Sequence, residues 1–348
     1  MERKKVLYIL GAGASAGAVP ILKEWVAEFK VFSECLELMI AGVEENPKVP
    51  ESNKSKFRQK LEIILKDCKW LLENSRSQYT VDTFAKKLFI TNNDEGLKRL
   101  KKIVSTFLIF YHTQETLYVS PVGGRNPKIP HQVRDQRYET LLSYLLGKGD
   151  TRIPENVKFI SWNYDAQLEL ALGEFVLDTE SIIGTVTNNY SQHYKVNGTI
   201  ATLDITDSNL KKIDMPFYWM FHHEYEPQDL VTLCYDTIGF GSGISYAWEK
   251  PAVSQVAERL TTMNLDSITE VVVIGYSFPF FNSSIDQVIL TSVMKKLPNI
   301  YLQYPENEHK KILEKIRSLQ IPRFSQVETA GKVTLISDID TFYVPYGT

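Results

Sequence analysis

The chain is short of cysteine, of long apolar runs and of net charge, and each shortage removes a class of protein. Its 348 residues include three cysteines, Cys35, Cys68 and Cys234, and no C-x-x-C pair. That set builds neither a zinc ribbon nor a disulfide framework, and it suits a reducing compartment. Cys68 falls on an apolar helical stripe and reads as core. No segment approaches the roughly 18 uninterrupted apolar residues of a membrane span. The opening Glu2-Arg3-Lys4-Lys5 and the apolar run after it imitate a signal peptide. The run before Gly11 is only Val6 to Leu10, however, shorter than the about 7–15 residues of a secretory core. The expectation is a cytoplasmic protein. Thirty-nine Lys and Arg against 42 Asp and Glu leave a net charge of −3, so the whole chain has no electrostatic footprint for nucleic acid. The cluster Lys98, Arg99, Lys101 and Lys102 reads as a solvated helix face. Internal repeats and low-complexity tracts are also missing.

What is present is a well-cored globular composition, 43% hydrophobic and 23% charged, and three short motifs of one kind. Val6-Leu7-Tyr8-Ile9-Leu10 runs into Gly11-Ala12-Gly13-Ala14-Ser15. Phe159-Ile160 runs into Ser161-Trp162-Asn163-Tyr164-Asp165. Val271-Val272-Val273-Ile274 runs into Gly275-Tyr276-Ser277-Phe278-Pro279. Each is an apolar, β-rich segment ending in small or polar residues. In an open α/β sheet the carboxyl ends of parallel strands converge on one crevice, so the three ends are expected around one nucleotide. Two glycines in the first loop let the backbone turn and approach a phosphate, and a helix after the loop would offer free N–H groups to it. A ligand-free glycine turn explains the same loop. A dehydrogenase needs an acidic residue at the end of a second strand about 20 positions on. Residues 21–41 look helical instead, which places Glu34 in a helix and disfavours hydride transfer. Asn163 and Asp165 suit a ribose: an amide orients a hydroxyl or water, and a carboxylate steadies a developing oxocarbenium ion. Either also suits a helix N-cap. Gly275 permits close approach and Ser277 offers a hydroxyl, or a cap.

Residues 6–10 predict a buried parallel strand. From about Pro20 to Leu146 the pattern is helical, clearest over 57–72, 80–88, 97–111 and 138–146, with residues 118–133 a loop rich in Pro and Gly. Strand-like runs return at 157–161, 181–186, 199–205, 229–235, 271–276 and 298–304. A helix follows over 306–318, and Val333–Ile336 closes the sheet. The predicted fold is α/β: a Rossmann-like, doubly wound, mostly parallel sheet with a large helical insertion. It forms one domain from 1–20 and 150–348 around an insertion of 21–149, because the lone strand at 6–10 finds parallel partners only after residue 155.

Taken together, the motifs resemble the sirtuin-like NAD-consuming domains of bacterial anti-phage defence proteins. Gly11-Ala12-Gly13-Ala14-Ser15 with Pro20 resembles the family's opening loop, and Thr80 to Ala85 its D-x-F segment. Arg137-Tyr138-Glu139 resembles the helix before the catalytic strand. Ser161 to Asp165 resembles the catalytic N-Y-D, and Gly275 to Pro279 the late G-Y-S-L-P. The resemblance implies an enzyme that binds NAD as substrate, without a metal, and cleaves its nicotinamide–ribose bond. Asn163 is then the key catalytic residue, with Asp165 on the ribose, and Gly11, Ala12, Gly13, Ala14, Ser15, Pro20, Gly275, Tyr276 and Ser277 in the binding site. Protein deacylation is not expected, since its zinc module needs four cysteines. One position departs from the family. Where a His-Gly pair is usual, this chain has Lys195-Val196-Asn197-Gly198-Thr199, and an amide takes no proton near neutral pH. His193, His222 and His223 are substitutes for that base, and His222 beside His223 and Glu224 is the best of them. The aromatic segments Tyr218 to Phe221 and Tyr246 to Glu249 suit core packing or base stacking. The resemblance further implies a toxic NAD-depleting effector of a defence complex, a homo-oligomer held silent by a partner subunit. That partner would be a HerA-type nucleic-acid-translocating ATPase or an Argonaute-like protein. A catalytically silent NAD- or ADP-ribose-binding scaffold and a nucleoside glycosylase are the alternatives.

Overall fold

A computed structural model describes residues 3–21, 24–45, 51–75, 80–114, 116–118, 128–130, 132–176, 192–197, 231, 235, 244–249 and 252–346. The chain divides into two compact units. One comprises Met1–Ser15, Asp135–Thr199 and Ser245–Thr348, and the other Ala16–Arg134 and Ile200–Ile244.

The first unit is built on β1 (Val6–Leu10). In the second, the chain forms α1 (Trp25–Gly42), α2 (Glu51–Ser75), α3 (Val81–Ile90), α4 (Asp94–Thr113) and the short strands β2 (Thr116–Tyr118) and β3 (Lys128–Pro130). It returns to the first unit through α5 (Gln136–Leu145), β4 (Val157–Ser161), α6 (Gln167–Gly173) and β5 (His193–Lys195). There it continues with α7 (Ala252–Thr262), β6 (Glu270–Ile274), α8 (Ser283–Val293), β7 (Asn299–Gln303), α9 (His309–Ser318), α10 (Phe324–Thr329) and β8 (Val333–Ile336).

The sheet has six strands in the order β5-β4-β1-β6-β7-β8, every neighbouring pair parallel. Counting sheet strands along the chain, this is the doubly wound order of a dinucleotide-binding fold. The chain starts in the middle, winds outward through β4 and β5, and then winds the other way through β6, β7 and β8. Winding reverses between β1 and β6, the switch point where such sheets open a crevice. All five residues of β1 and of β6 are buried, because helices cover both faces. Leu7, Ile9, Ile160, Val271, Val273 and Leu302 face a core closed by α7, α8, α9 and α10. Val6, Tyr8, Leu10, Phe159, Val272 and Ile274 face the other side, where α5 and α6 supply Tyr138, Leu141, Leu142, Leu168 and Leu172. The ring of Tyr8 stacks on Phe159, centroids 5.1 Å apart.

Helix α5 therefore belongs with the sheet and not with the insertion of 21–149. Its apolar stripe, Tyr138, Leu141, Leu142 and Leu145, needs the β1–β4 face to be buried. The expected loop over 118–133 is corrected at its flanks, where Thr116–Tyr118 pairs antiparallel with Lys128–Pro130. The flanks carry strand formers, and Pro130 sits at an end of a two-stranded ladder. The strand expected over 229–235 is corrected at Val231 and Tyr235, which are helical and buried. The expected strands 181–186 and 199–205 lie outside the described residues; β5, between them, was not expected.

The helical unit has an aromatic core. Phe29 stacks on Phe107 at 4.3 Å, with Trp25, Phe32 and Tyr111 packed around them. Thr80 caps α3 by accepting from the Thr83 N–H at 3.1 Å, as the sequence signal predicts. Cys68 is core as expected, and burial pushes its thiol up to about 12. Of the basic cluster, Lys98 is exposed. Arg99 instead pairs with buried Asp67 and lies 4.4 Å over Trp70, and Lys102 lies 3.5 Å over the Tyr235 ring. No described helix is long and apolar enough to cross a membrane.

At the switch point the two strand ends touch backbone to backbone. The Gly11 N–H donates to Ile274 O and the Gly13 N–H to Gly275 O, both at 3.0 Å. A Cβ on Gly275 would lie 2.4 Å from Gly13 Cα, and Gly275 holds φ +59°. Gly275→Ala is expected to cost more than about 2 kcal/mol in chemical denaturation, from the left-handed backbone and the clash together. Gly147→Ala, where a Cβ meets nothing within 4 Å, is expected to leave the midpoint almost unchanged.

Candidate functional site

The carboxyl ends of β5, β4, β1 and β6 lie side by side in the sheet, so the residues just past them form one row. These are Asn197, Ser161 to Asp165, Gly11 to Ser15 and Gly275 to Ser277. Two of the four segments, Gly11 to Ser15 and Ser161 to Asp165, are joined by side-chain hydrogen bonds centred on Ser15 and Asn163.

Ser15 is 1% exposed and ends a 3₁₀ turn, Ala12–Ser15. Asn163 Nδ2 donates to Ser15 Oγ at 3.1 Å and to Gly11 O at 2.9 Å. The Tyr138 hydroxyl lies 3.4 Å from Ser15 Oγ, and Ser15 also hydrogen-bonds the Asp165 carboxyl group. A serine hydroxyl has one proton and two lone pairs. The pattern is complete if Ser15 accepts from Asn163 and Tyr138 and donates to Asp165. Burial and the nearby Asp165 hold the Tyr138 hydroxyl well above its ordinary value, so it stays a neutral donor. Both N–H groups of Asn163 are thus spent on the glycine loop. Its amide oxygen has no protein partner among the described residues.

Asp165 is buried and its carboxyl is raised above the ordinary aspartate value, chiefly by desolvation. Lys195, the Gln167 N–H and the Ser15 hydroxyl oppose that rise. Asp165 Oδ1 accepts from Gln167 N at 3.1 Å, but the N-cap of α6 is Ala166 and carries no side-chain cap, so the N-cap role weighed beside the functional one falls to neither Asn163 nor Asp165. Lys195 donates to Asp165 O and pairs with Glu169 Oε1 at 3.0 Å. Burial works against ionisation of Glu169, but Lys195 beside it and then His193 bring its carboxyl below the ordinary value.

The glycine loop departs from the dinucleotide fingerprint. The sequence predicted a helix directly after it, yet the loop closes into a 3₁₀ turn through Ala14 N to Gly11 O at 2.8 Å, and α1 begins only at Trp25. An α-helix N-terminus does not follow Ser15 directly, because the Gly13–Gly275 contact bends the chain tightly there. Arg137 holds the loop from below. Its guanidinium donates to Gly13 O at 3.1 Å, Ala14 O at 3.3 Å and Ile339 O at 3.0 Å, and forks onto buried Asp135. Tyr276 turns inward: its ring stacks on Trp162 at 5.1 Å and its hydroxyl meets Asp286 and Asn282, each at 3.1 Å. Ser277 is exposed. Pro20 belongs to the helical unit.

Asn197 is buried, and its Nδ2 donates to Trp162 O at 3.0 Å. It ties the end of β5 to the end of β4. His193 is the first residue of β5, 3.8 Å from Glu169, and burial lowers it to about 4. A base so depressed is a poor proton acceptor near neutral pH. His222, His223 and Gly198 lie outside the described residues. Trp248 lies in the sheet unit, stacked on Tyr246 at 4.8 Å. Among the described residues, no group of His, Cys, Asp and Glu is placed to hold a metal. Lys195, Glu169 and Asp135 were not singled out from sequence. Lys195 stood inside a quoted motif; the others carry no local signal, since their partners are distant in the chain.

No family model, no curated protein and no solved structure matches this chain.

Two stability measurements check the geometry. Arg137→Leu removes the guanidinium that forks onto buried Asp135 and is expected to cost about 3 kcal/mol, with Asp135→Asn in the same chain recovering part of it. Because the folded-state pKa of Asp165 is raised, folding favours its protonated form. That contribution is whole below the unfolded value and is lost as pH rises through the folded one. Asp165→Asn is therefore expected to be more stable than wild type at neutral pH, with the advantage vanishing toward pH ~4.

Proposed function

We propose that the protein is an NAD hydrolase that cleaves the nicotinamide–ribose bond to give nicotinamide and ADP-ribose. The observation that supports this most is the convergence of Ser15, Asn163 and Asp165 in one buried cluster at the carboxyl ends of β1 and β4. The sirtuin-like resemblance makes Asn163 the catalytic residue, puts Asp165 on the ribose and Ser15 in the binding loop, and the three come from distant parts of the chain. In the reaction the C1′–N1 bond breaks, its electron pair leaves with neutral nicotinamide, and the ribose carries the positive charge. Water then adds at C1′ and loses a proton. The Asp165 carboxylate offsets that charge in a site of low dielectric, where a fixed negative group acts strongly. The unpartnered amide oxygen of Asn163 orients the water or a ribose hydroxyl. Gly11 and Ser15 brace Asn163, which limits its motion during the step.

Asn197 favours a second reading. Its amide is committed to Trp162 O and takes no proton, which suits a silent scaffold that binds NAD or ADP-ribose. The oxocarbenium-like character of the reaction keeps the first reading ahead, since such a cation is captured by water with little help from a base. The role of a toxic effector, silenced within a homo-oligomer and a HerA-type or Argonaute-like partner complex, follows from the same resemblance and belongs to this proposal.

The test is chromatography of nicotinamide and ADP-ribose after incubation of the protein with NAD, with and without candidate partners. Release is expected from wild type and is expected to fall about a hundredfold or more in Asn163→Ala. The rate is expected to rise with pH through a value above the ordinary aspartate range, as Asp165 ionises, and to lose that limb in Asp165→Asn. Binding of NAD with no release under any condition would move the assignment to the scaffold.

A further inference from the structure

Lys195 and Glu169 form a buried charge pair that no part of the proposed reaction has used. Lys195 ends β5, and Glu169 lies in the first turn of α6, the helix that connects β4 to β5. Both side chains are close to nine-tenths buried, and their atoms stand 3.0 Å apart. Such a pair is a weak source of stability, because desolvation consumes most of the attraction. Glu169 Oε2 has no partner among the described residues, so the pair is held at one oxygen. The remaining contact of the ammonium group points to another role. Lys195 donates to the main-chain oxygen of Asp165, next to the Asn163-Tyr164 segment.

We propose that Lys195 is the positioning residue for Asp165: anchored by Glu169, its ammonium grips the Asp165 carbonyl and places a fixed positive charge beside the carboxylate that faces the ribose. This rests on the NAD hydrolase reading for its meaning, though not for its test. The groups around Asp165 are few. The Ser15 hydroxyl approaches from the glycine loop, Tyr138 from α5, the Gln167 N–H and Glu169 from α6, and Lys195 from β5. Among the described residues named, Lys195 is the only cation, and its attraction is the largest of the effects that favour the charged form. His193, held neutral by burial, adds no competing charge. An opposite charge within about 4–6 Å of a carboxyl ordinarily moves it by about one to three pH units.

The experiment titrates Asp165 directly, by carbon NMR of protein labelled at the aspartate carboxyl carbon, with the Asp165 signal assigned by its absence in Asp165→Asn. Lys195→Met leaves Glu169 buried and unpaired and risks unfolding, so the deciding variant is Lys195→Met with Glu169→Gln, which removes both charges and keeps the volume. Its Asp165 midpoint is expected to rise by about one pH unit or more, and Lys195→Arg is expected to stay near wild type. An unchanged midpoint in the double variant overturns the proposal. Nicotinamide release supplies the second readout. The double variant is expected to lose kcat about tenfold or more at neutral pH, to recover part of it at higher pH, and to keep its KM for NAD within about twofold. A kcat loss that is the same at every pH overturns the proposal in favour of simple structural damage. Wild-type protein that releases no nicotinamide removes the hydrolase reading and leaves the NMR titration to decide the role of Lys195.

Discussion

The contact between Gly13 and Gly275 is the constraint around which the sheet unit is organised. A Cβ on either residue would meet the other's Cα at 2.4 or 2.7 Å, so only two glycines allow the ends of β1 and β6 to meet backbone to backbone. The hydrogen bonds from the Gly11 and Gly13 N–H groups to the β6 end depend on that approach. So does the tight 3₁₀ turn that brings Ser15 back over β4. In a doubly wound sheet the switch point is the natural opening. Here backbone packing closes its β6 side, and the polar residues gather on the β4 side instead. The glycines thus serve the shape of the site, and a phosphate is not needed to explain them.

Around that contact the structure tolerates an unusual number of buried ionisable groups. Asp135 is answered by Arg137, Glu169 by Lys195, and Asp165 by the Ser15 hydroxyl, the Gln167 N–H and Lys195 at longer range. Each compensation costs desolvation and supplies little net stability. What the arrangement does supply is fixed geometry in a poorly screened interior, where a charge acts over several ångströms. The raised carboxyl of Asp165 shows that compensation there is incomplete. Perturbed groups of this kind cluster at functional sites, and the cluster coincides with the row of strand ends. Asn197, by contrast, is fully engaged: its hydrogen bond to Trp162 O performs a bridging task that requires no titration.

The strands that form the sheet's core were legible because they are buried on both faces and therefore largely apolar; Val6–Leu10 and Val157–Ser161 stand where the runs predicted, and the strand expected over 271–276 is Glu270–Ile274, ending before Gly275. The helices of the second unit were legible from their stripes and caps, as at Thr80. The assignment of α5 was not, since a stripe states that a helix has a partner but not which one. The β2–β3 pairing was hidden by the Pro and Gly between its strands. At the site, Asn163, Asp165 and Ser15 could be selected because they follow strand ends. Tyr276 could not be recognised as a packing residue, because nothing in Gly-Tyr-Ser states that the ring turns onto Trp162.

By itself the sequence determined the local structure and the class of fold: uninterrupted apolar runs make buried parallel strands, and winding between them requires helices on both faces. It also determined that the three strand ends share one edge of the sheet. Tertiary structure alone decided what those ends do to one another. Ser15 lies 148 residues from Asn163 along the chain, and Lys195 lies 30 from Asp165. Hydrogen bonds and charge compensation at such separations have no local signature, since they depend on which strands become neighbours. That is why a glycine turn, an amide and a carboxylate were visible as separate residues, while the serine hydroxyl beside them and the lysine on the Asp165 main-chain oxygen emerged only from the folded chain.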